Sequence, residues 1–217
     1  MMAHELTHVV QQGGGVHTQP IKETGSCQHT PILKVISYIH QEMIKNVASA
    51  DVAYIREKMG FWQLDNLIPF KGPVDIIDAY WRWYTLVKTG GPWDHKAKIM
   101  NSYGKWSFDR LDKRLYSFDI WSNIHYGYIG LASDIPEWDL LSGAGIAQKL
   151  AGTVPPGYED RVQTMLDFFS ALDDPLDQEA IKIGFELWRS VKTGVAIQNI
   201  HDAARTHAAR LATQPCR

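Results

Sequence analysis

Prolines at positions 31, 73 and 175 each open a stretch in which apolar residues return every three or four positions. That recurrence constrains the fold more than any other feature of the chain, because residues three or four apart share one face of an α-helix. Proline suits the first helical position, where its missing N–H has no helical partner to lose. After Thr30-Pro31 the stripe is Leu33, Ile36, Ile39, Met43 and Val47, with Thr30 expected as the cap. After Pro73 it is Val74, Ile77, Trp81, Tyr84 and Val87, stopped by Gly90-Gly91. Asp174-Pro175 sets a cap and a proline ahead of Glu179, Phe185, Leu187 and Trp188. Residues 49–59, 158–172 and 195–212 read as further helices, 92–106 as a short helix plus loop, and 115–131, apolar all round, as a buried helix. A helix after Pro136 runs to Leu150 through Ser142-Gly143-Ala144-Gly145, small residues that imply close approach of a neighbouring backbone. No segment alternates as a strand does, and no repeat has a fixed period. The expected fold is all-α, a single compact multi-helix domain over residues 31–217. A short N-terminal helix (1–12) and a flexible linker (13–30), entered through Gly13-Gly14-Gly15, precede it.

Composition narrows the function classes. The 217 residues, 45% apolar and 21% charged, suit one globular domain and exclude a fully disordered chain. Two cysteines, Cys27 and Cys216, make neither a disulfide scaffold nor a four-cysteine zinc site. No apolar run approaches the length of a membrane span, and the first residues lack the layout of a secretory signal. The net charge of −2 conceals segregation: −2 over residues 1–80, +5 over 81–118, −9 over 119–180 and +4 over 181–217. Either these blocks neutralise one another in the fold, or the basic one stays open to phosphate.

His4-Glu5-Leu6-Thr7-His8 matches the H-E-x-x-H pattern, in which two imidazoles on one helical face grip zinc and the glutamate serves as general base. Ala3-His4-Glu5-Leu6-Thr7-His8-Val9-Val10-Gln11-Gln12 resembles the core helix of a metallopeptidase-like leader domain associated with extracellular contractile injection systems. The resemblance covers ten residues, so the expectation is a structural remnant of that leader and not a working peptidase.

A second resemblance is wider. Gly90-Gly91-Pro92-Trp93-Asp94-His95-Lys96, Asn123-Ile124-His125-Tyr126-Gly127-Tyr128-Ile129-Gly130, Leu140-Leu141-Ser142-Gly143-Ala144-Gly145-Ile146-Ala147-Gln148 and Asp173-Asp174-Pro175-Leu176-Asp177-Gln178-Glu179-Ala180-Ile181 resemble, in order, four elements of the bacterial polymorphic toxin type 44 domain, over about residues 85–190. The resemblance implies an all-α toxin, delivered by a secretion or injection apparatus without a signal peptide and acting in the target-cell cytoplasm. It also implies a cognate immunity protein, and RNA as the expected substrate.

The residues themselves supply candidates for that chemistry. Histidine titrates near neutral pH, so His125 is the acid/base candidate, with Asp94 assisting and Lys96 or Lys98 stabilising charge that develops on phosphate. Asn123, Asp174 and Asp177 complete the catalytic set, while Trp93, His95, Tyr126 and Gln148 form the substrate-binding set. Several carry a plainer reading as well: His125 as a buried core histidine, Asp94 and Asp174 as caps, Lys96 as a solvated cation. Trp81 and Tyr84 are expected in the core, with Trp93 and Trp106 nearer the surface as stacking platforms. No metal site or cofactor is assigned, and whether a divalent metal is needed stays open. The rival expectations are a peptidoglycan hydrolase using Asp173 or Glu179 with another carboxylate, and a catalytically inactive binding domain.

Overall fold

The computed structural model describes residues 27–59, 73–142, 154–170 and 174–216. The expected leader helix, most of the linker, the helix beyond Ser142 and Gln148 lie outside those residues. Among the described residues the chain runs β1 (Thr30–Pro31), α1 (Ile32–Val47), α2 (Ala50–Met59), α3 (Pro73–Val87) and α4 (Lys96–Tyr103). It continues through a hairpin of β2 (Trp106–Asp109) and β3 (Arg114–Ser117), then α5 (Phe118–Ala132), α6 (Glu137–Ser142) and α7 (Glu159–Ser170). Last come α8 (Pro175–Val191), α9 (Ile197–Thr206) and β4 (Thr213–Pro215). The architecture is all-α but for one small sheet.

The helices arise where the apolar spacing places them, with their buried faces turned slightly from expectation. In α1, Ile32, Val35, Ile36, Ile39 and Met43 are buried, whereas Leu33 is 50% exposed. In α3 the fully enclosed groups are Ile77, Ala79, Tyr80 and Trp83; Val74 faces solvent, and Trp81 and Tyr84 are half-buried. Apolar residues at adjacent positions belong to stripes about 100° apart, and tertiary contacts decide which stripe is covered. At the start of α8 the sequence signature holds: Asp174 Oδ1 accepts from the Leu176 N–H at 2.8 Å, with Pro175 in the first turn. Thr30 does not cap α1. It lies in β1, and its hydroxyl donates to the Tyr103 carbonyl at 2.7 Å.

The central helix is α5, buried from Ile120 to Gly130. Its contact with α8 is backbone on backbone. A methyl group on Gly127 would overlap the Ile181 carbonyl, and one on Gly184 would overlap the Ile124 carbonyl and the Tyr128 amide. Gly130 leaves similar room for the Leu140 side chain of α6. Close approach was expected at Gly143 and Gly145, outside the described residues; within them these glycines provide it.

The sheet has the order β1-β2-β3-β4, with β1 parallel to β2 and the other pairs antiparallel. Trp106 pairs with Ser117 and Asp109 with Arg114, and the hairpin turn places Lys113 at φ 58°. The expected buried helix over 115–131 therefore starts three residues late, because Leu115–Ser117 are strand. The final helix stops at Thr206, and the chain then makes a 3-10 turn at Ala208–Arg210 and enters β4. The two cysteines, too few for a disulfide framework, are bonded to each other. Cys27 and Cys216 lie 6.2 Å apart at Cα, an ordinary disulfide spacing. The linker expected to run to residue 30 is thus tied down from Cys27 onward.

Gly184→Ala should cost about 2–3 kcal/mol by forcing two backbones apart. Gly194→Ala, where nothing lies within 4 Å of the new methyl, should change stability by less than ~0.5 kcal/mol; urea unfolding of both variants checks the contrast. Reducing the disulfide releases a loop spanning 189 residues and should lower stability by about 2–5 kcal/mol, read as the shift in urea midpoint between oxidised and reduced protein.

Candidate active site

The turn into α4 is held from within. Asp94 Oδ2 accepts from the Gly90 N–H at 2.9 Å, and Oδ1 accepts from the Lys96 N–H at 3.1 Å. The Trp93 N–H meanwhile donates to the Leu86 carbonyl at 2.8 Å. Gly90, at φ 76°, makes the reversal possible. One consequence corrects expectation: Trp93 is not a surface platform but is 6% exposed, edge-on to Trp83 with ring centroids 5.9 Å apart. The other is that His95, two residues on, is driven fully inside.

There His95 meets His125. Their rings pack edge to face, at 79° with centroids 4.3 Å apart, and Trp93 closes one side at 6.4 Å from the His125 ring. Helix α1 supplies a partner for each. Tyr38 Oη lies 2.8 Å from His95 Nδ1, and Asn46 Nδ2 lies 3.0 Å from His125 Nε2. The remaining nitrogens, His95 Nε2 and His125 Nδ1, are buried without a hydrogen-bond partner among the described residues. Burial disfavours the charged imidazolium. It pulls the His95 pKa down to about 4, against lesser opposing influences of Glu42 and Asp94 and lesser reinforcing ones of Lys98 and Lys45. His125 is pushed well below its ordinary value by burial first, then by His95 and Lys98. Both rings are therefore neutral at physiological pH.

The other expected residues do not converge on this pair. Asn123 Nδ2 donates to Asp177 Oδ1 at 2.6 Å, and Lys96 Nζ lies 3.6 Å from Asp177 Oδ2. Two positions along a helix turn the side chain by about 200°, so Asn123 faces α8 while His125 faces α1 and α4. Tyr126 sits in the core, donating to the Leu140 carbonyl at 3.2 Å with its ring against Trp83. Asp174 is the exposed cap of α8. Among the described residues no group of three or more side chains is arranged to hold a metal ion. Tyr38 and Asn46 escaped sequence reasoning. The available signal was their spacing with Glu42, three groups with polar atoms at four-residue steps along one face of the helix.

The charge blocks cancel only in part. Arg82 pairs with Asp51 and Lys96 with Asp177. Lys88, Lys98, Lys105, Arg110 and Lys113 are exposed and make no ion pair among the described residues. Of these, Lys98 acts on both histidines.

A small helical domain enclosing a pair of neutral histidines, with Lys98 acting on both, is the setting in which the comparisons with known proteins fall. Residues 82–190, from within α3 almost to the end of α8, match the family model described as Bacterial toxin 44, and the chain belongs to that family. It is thus a bacterial toxin domain, with the delivery to target cells and the immunity partner that such domains imply. No curated protein and no solved structure matches the chain. No described helix is long and apolar enough to cross a membrane.

The histidines set a pH signature. The unfolded chain protonates His95 near its ordinary pKa of 6.5, the folded chain only near 4. The unfolded state therefore binds more protons between those values. Stability contributed by the neutral ring is complete above pH 6.5 and falls as pH drops through 4, by on the order of 3 kcal/mol for His95. Urea midpoints measured from pH 7.5 to 4 should show that fall in the wild type and a shallower one in His95→Gln.

Proposed function

We propose that the domain is a metal-independent RNase toxin acting in the target-cell cytoplasm after delivery by a secretion or injection apparatus. The observation that carries this reading is the His95–His125 pair, two neutral imidazoles each with one ring nitrogen free of partners among the described residues. A neutral imidazole can take the proton of an RNA 2′-hydroxyl at physiological pH. As that oxygen bonds to phosphorus, the phosphorus–O5′ bond breaks and the proton passes from the imidazolium to O5′, leaving a 2′,3′-cyclic phosphate. The second imidazole, through an N–H, supports the charge developing on phosphate oxygen. Lys98 and Lys96 add cations at the α4 end. Asp94 acts by shaping the turn that inserts His95, and Asn123 and Asp177 act by holding Lys96. RNA reaches the pair by opening the seam between α1 and α4, where Tyr38 is half-buried. A bound phosphate would raise the basicity of both histidines while the site is occupied.

The peptidoglycan reading has less support. Glu179 is engaged by His207 at 2.7 Å and by Arg210 at 2.9 Å, and Asp173 lies outside the described residues.

The test is incubation of the purified protein with single-stranded RNA in EDTA. Cleavage to cyclic-phosphate ends is expected, reduced at least 100-fold in His125→Gln and in His95→Gln with the urea midpoint retained. Intact RNA, with and without magnesium, from a protein that still kills when expressed in the cytoplasm would overturn the proposal.

A further inference from the structure

The family match begins at residue 82, yet both hydrogen bonds that orient the histidine pair come from α1, at residues 38 and 46. We infer that α1 is the second wall of the reactive centre, and that Tyr38 and Asn46 are positioning residues which divide the pair into one acceptor, His95 Nε2, and one donor, His125 Nδ1. The inference rests on the reading of the pair as the toxin's reactive centre.

The chemistry follows from the two partners. An amide nitrogen can only donate. With Asn46 Nδ2 facing His125 Nε2 at 3.0 Å, that ring nitrogen must accept. A neutral imidazole carries one proton, so the proton of His125 lies on Nδ1, the nitrogen without a partner. His125 therefore offers an N–H to its surroundings. Tyr38 differs because its hydroxyl can accept as well as donate. Its oxygen lies 2.8 Å from His95 Nδ1; in the arrangement inferred it accepts from an Nδ1–H, and the phenol keeps its own proton, since burial first and Glu42 next raise its pKa. His95 Nε2 then keeps its lone pair. Two rings 4.3 Å apart present one basic nitrogen and one N–H, the complement that a reacting hydroxyl and a phosphate oxygen require. Were both free nitrogens donors or both acceptors, the pair could supply only half of that.

Asn46 is 3% exposed, in a helix whose other buried groups are apolar. A buried amide costs stability unless its hydrogen bonds are made, which fits a side chain retained for orientation. The α1 wall also explains how residues in the matched segment can be fixed by residues outside it, since α1 packs directly on α5.

Imidazole nitrogen-15 shifts of the uniformly labelled full chain at pH 7.5 read the protonation sites directly, without RNA. The expected result is His125 protonated at Nδ1 and His95 protonated at Nδ1. Asn46→Asp replaces the donor with a carboxylate acceptor and should move the His125 proton to Nε2. RNA cleavage should then fall at least 30-fold in kcat with KM changed less than threefold. Tyr38→Phe should release the His95 proton from Nδ1 and shift the pH profile of cleavage. A wild-type spectrum with His125 protonated at Nε2, or with His95 protonated at Nε2, overturns the inference whether or not any variant folds. The predicted protonation sites in a protein that leaves RNA intact would instead count against the RNase reading alone.

Discussion

The contact on which the molecule depends is the crossing of α5 and α8 at Gly127 and Gly184, where no side chain separates the backbones. Interiors are packed too tightly to absorb an added methyl there, so the crossing sets the height of α8 against α5 within a fraction of a turn. That height lays Asp177 against Asn123 one turn to one side. On the other side it brings the Tyr128 hydroxyl to the carbonyl of Lys192. With one face of α5 committed to α8, its remaining faces receive α1, α4 and α6. His125 is enclosed because it occupies the side given to α1.

Two buried histidine arrangements in the same domain show how partners decide what a histidine does. His201 of α9 lies 2.9 Å from Asp109 Oδ2 at the end of β2, and the same carboxylate accepts from the Leu111 amide. There the imidazole has a charged partner and ties the hairpin to the helical layer. His95 and His125 have only neutral direct partners, an amide and a phenol, and each keeps one nitrogen unspent. A buried polar atom without a partner carries a free-energy cost, so the pair is the less stable arrangement and the chemically available one.

What could be read from the residues beforehand was what local physics settles. The helices after Pro31, Pro73 and Pro175, and the Asp174 cap, follow from spacing, proline and a short acceptor side chain. The sheet could not be read, because strands of two to four residues are too short to establish an alternation. Its register depends on bringing Thr30 to the hairpin across most of the domain. Trp93 resembled a surface residue from its loop-like setting beside Gly and Lys, but the Asp94 lock folds that turn inward. Asn123 and His125 read as one motif because they are neighbours in sequence, whereas the helix sends them to opposite sides. His95 meets His125 in a ring contact that no spacing within the matched segment encodes.

The bond between Cys27 and Cys216 makes a covalent ring of nearly the whole described domain. A ring cannot be drawn through a passage one strand wide, however completely it is unfolded, since two strands must travel side by side. Cytosolic thiols keep such bonds open, and they close in oxidising surroundings. The redox state of one pair of sulfur atoms therefore decides whether this domain can be threaded as a single strand or must cross as a loop or a folded body.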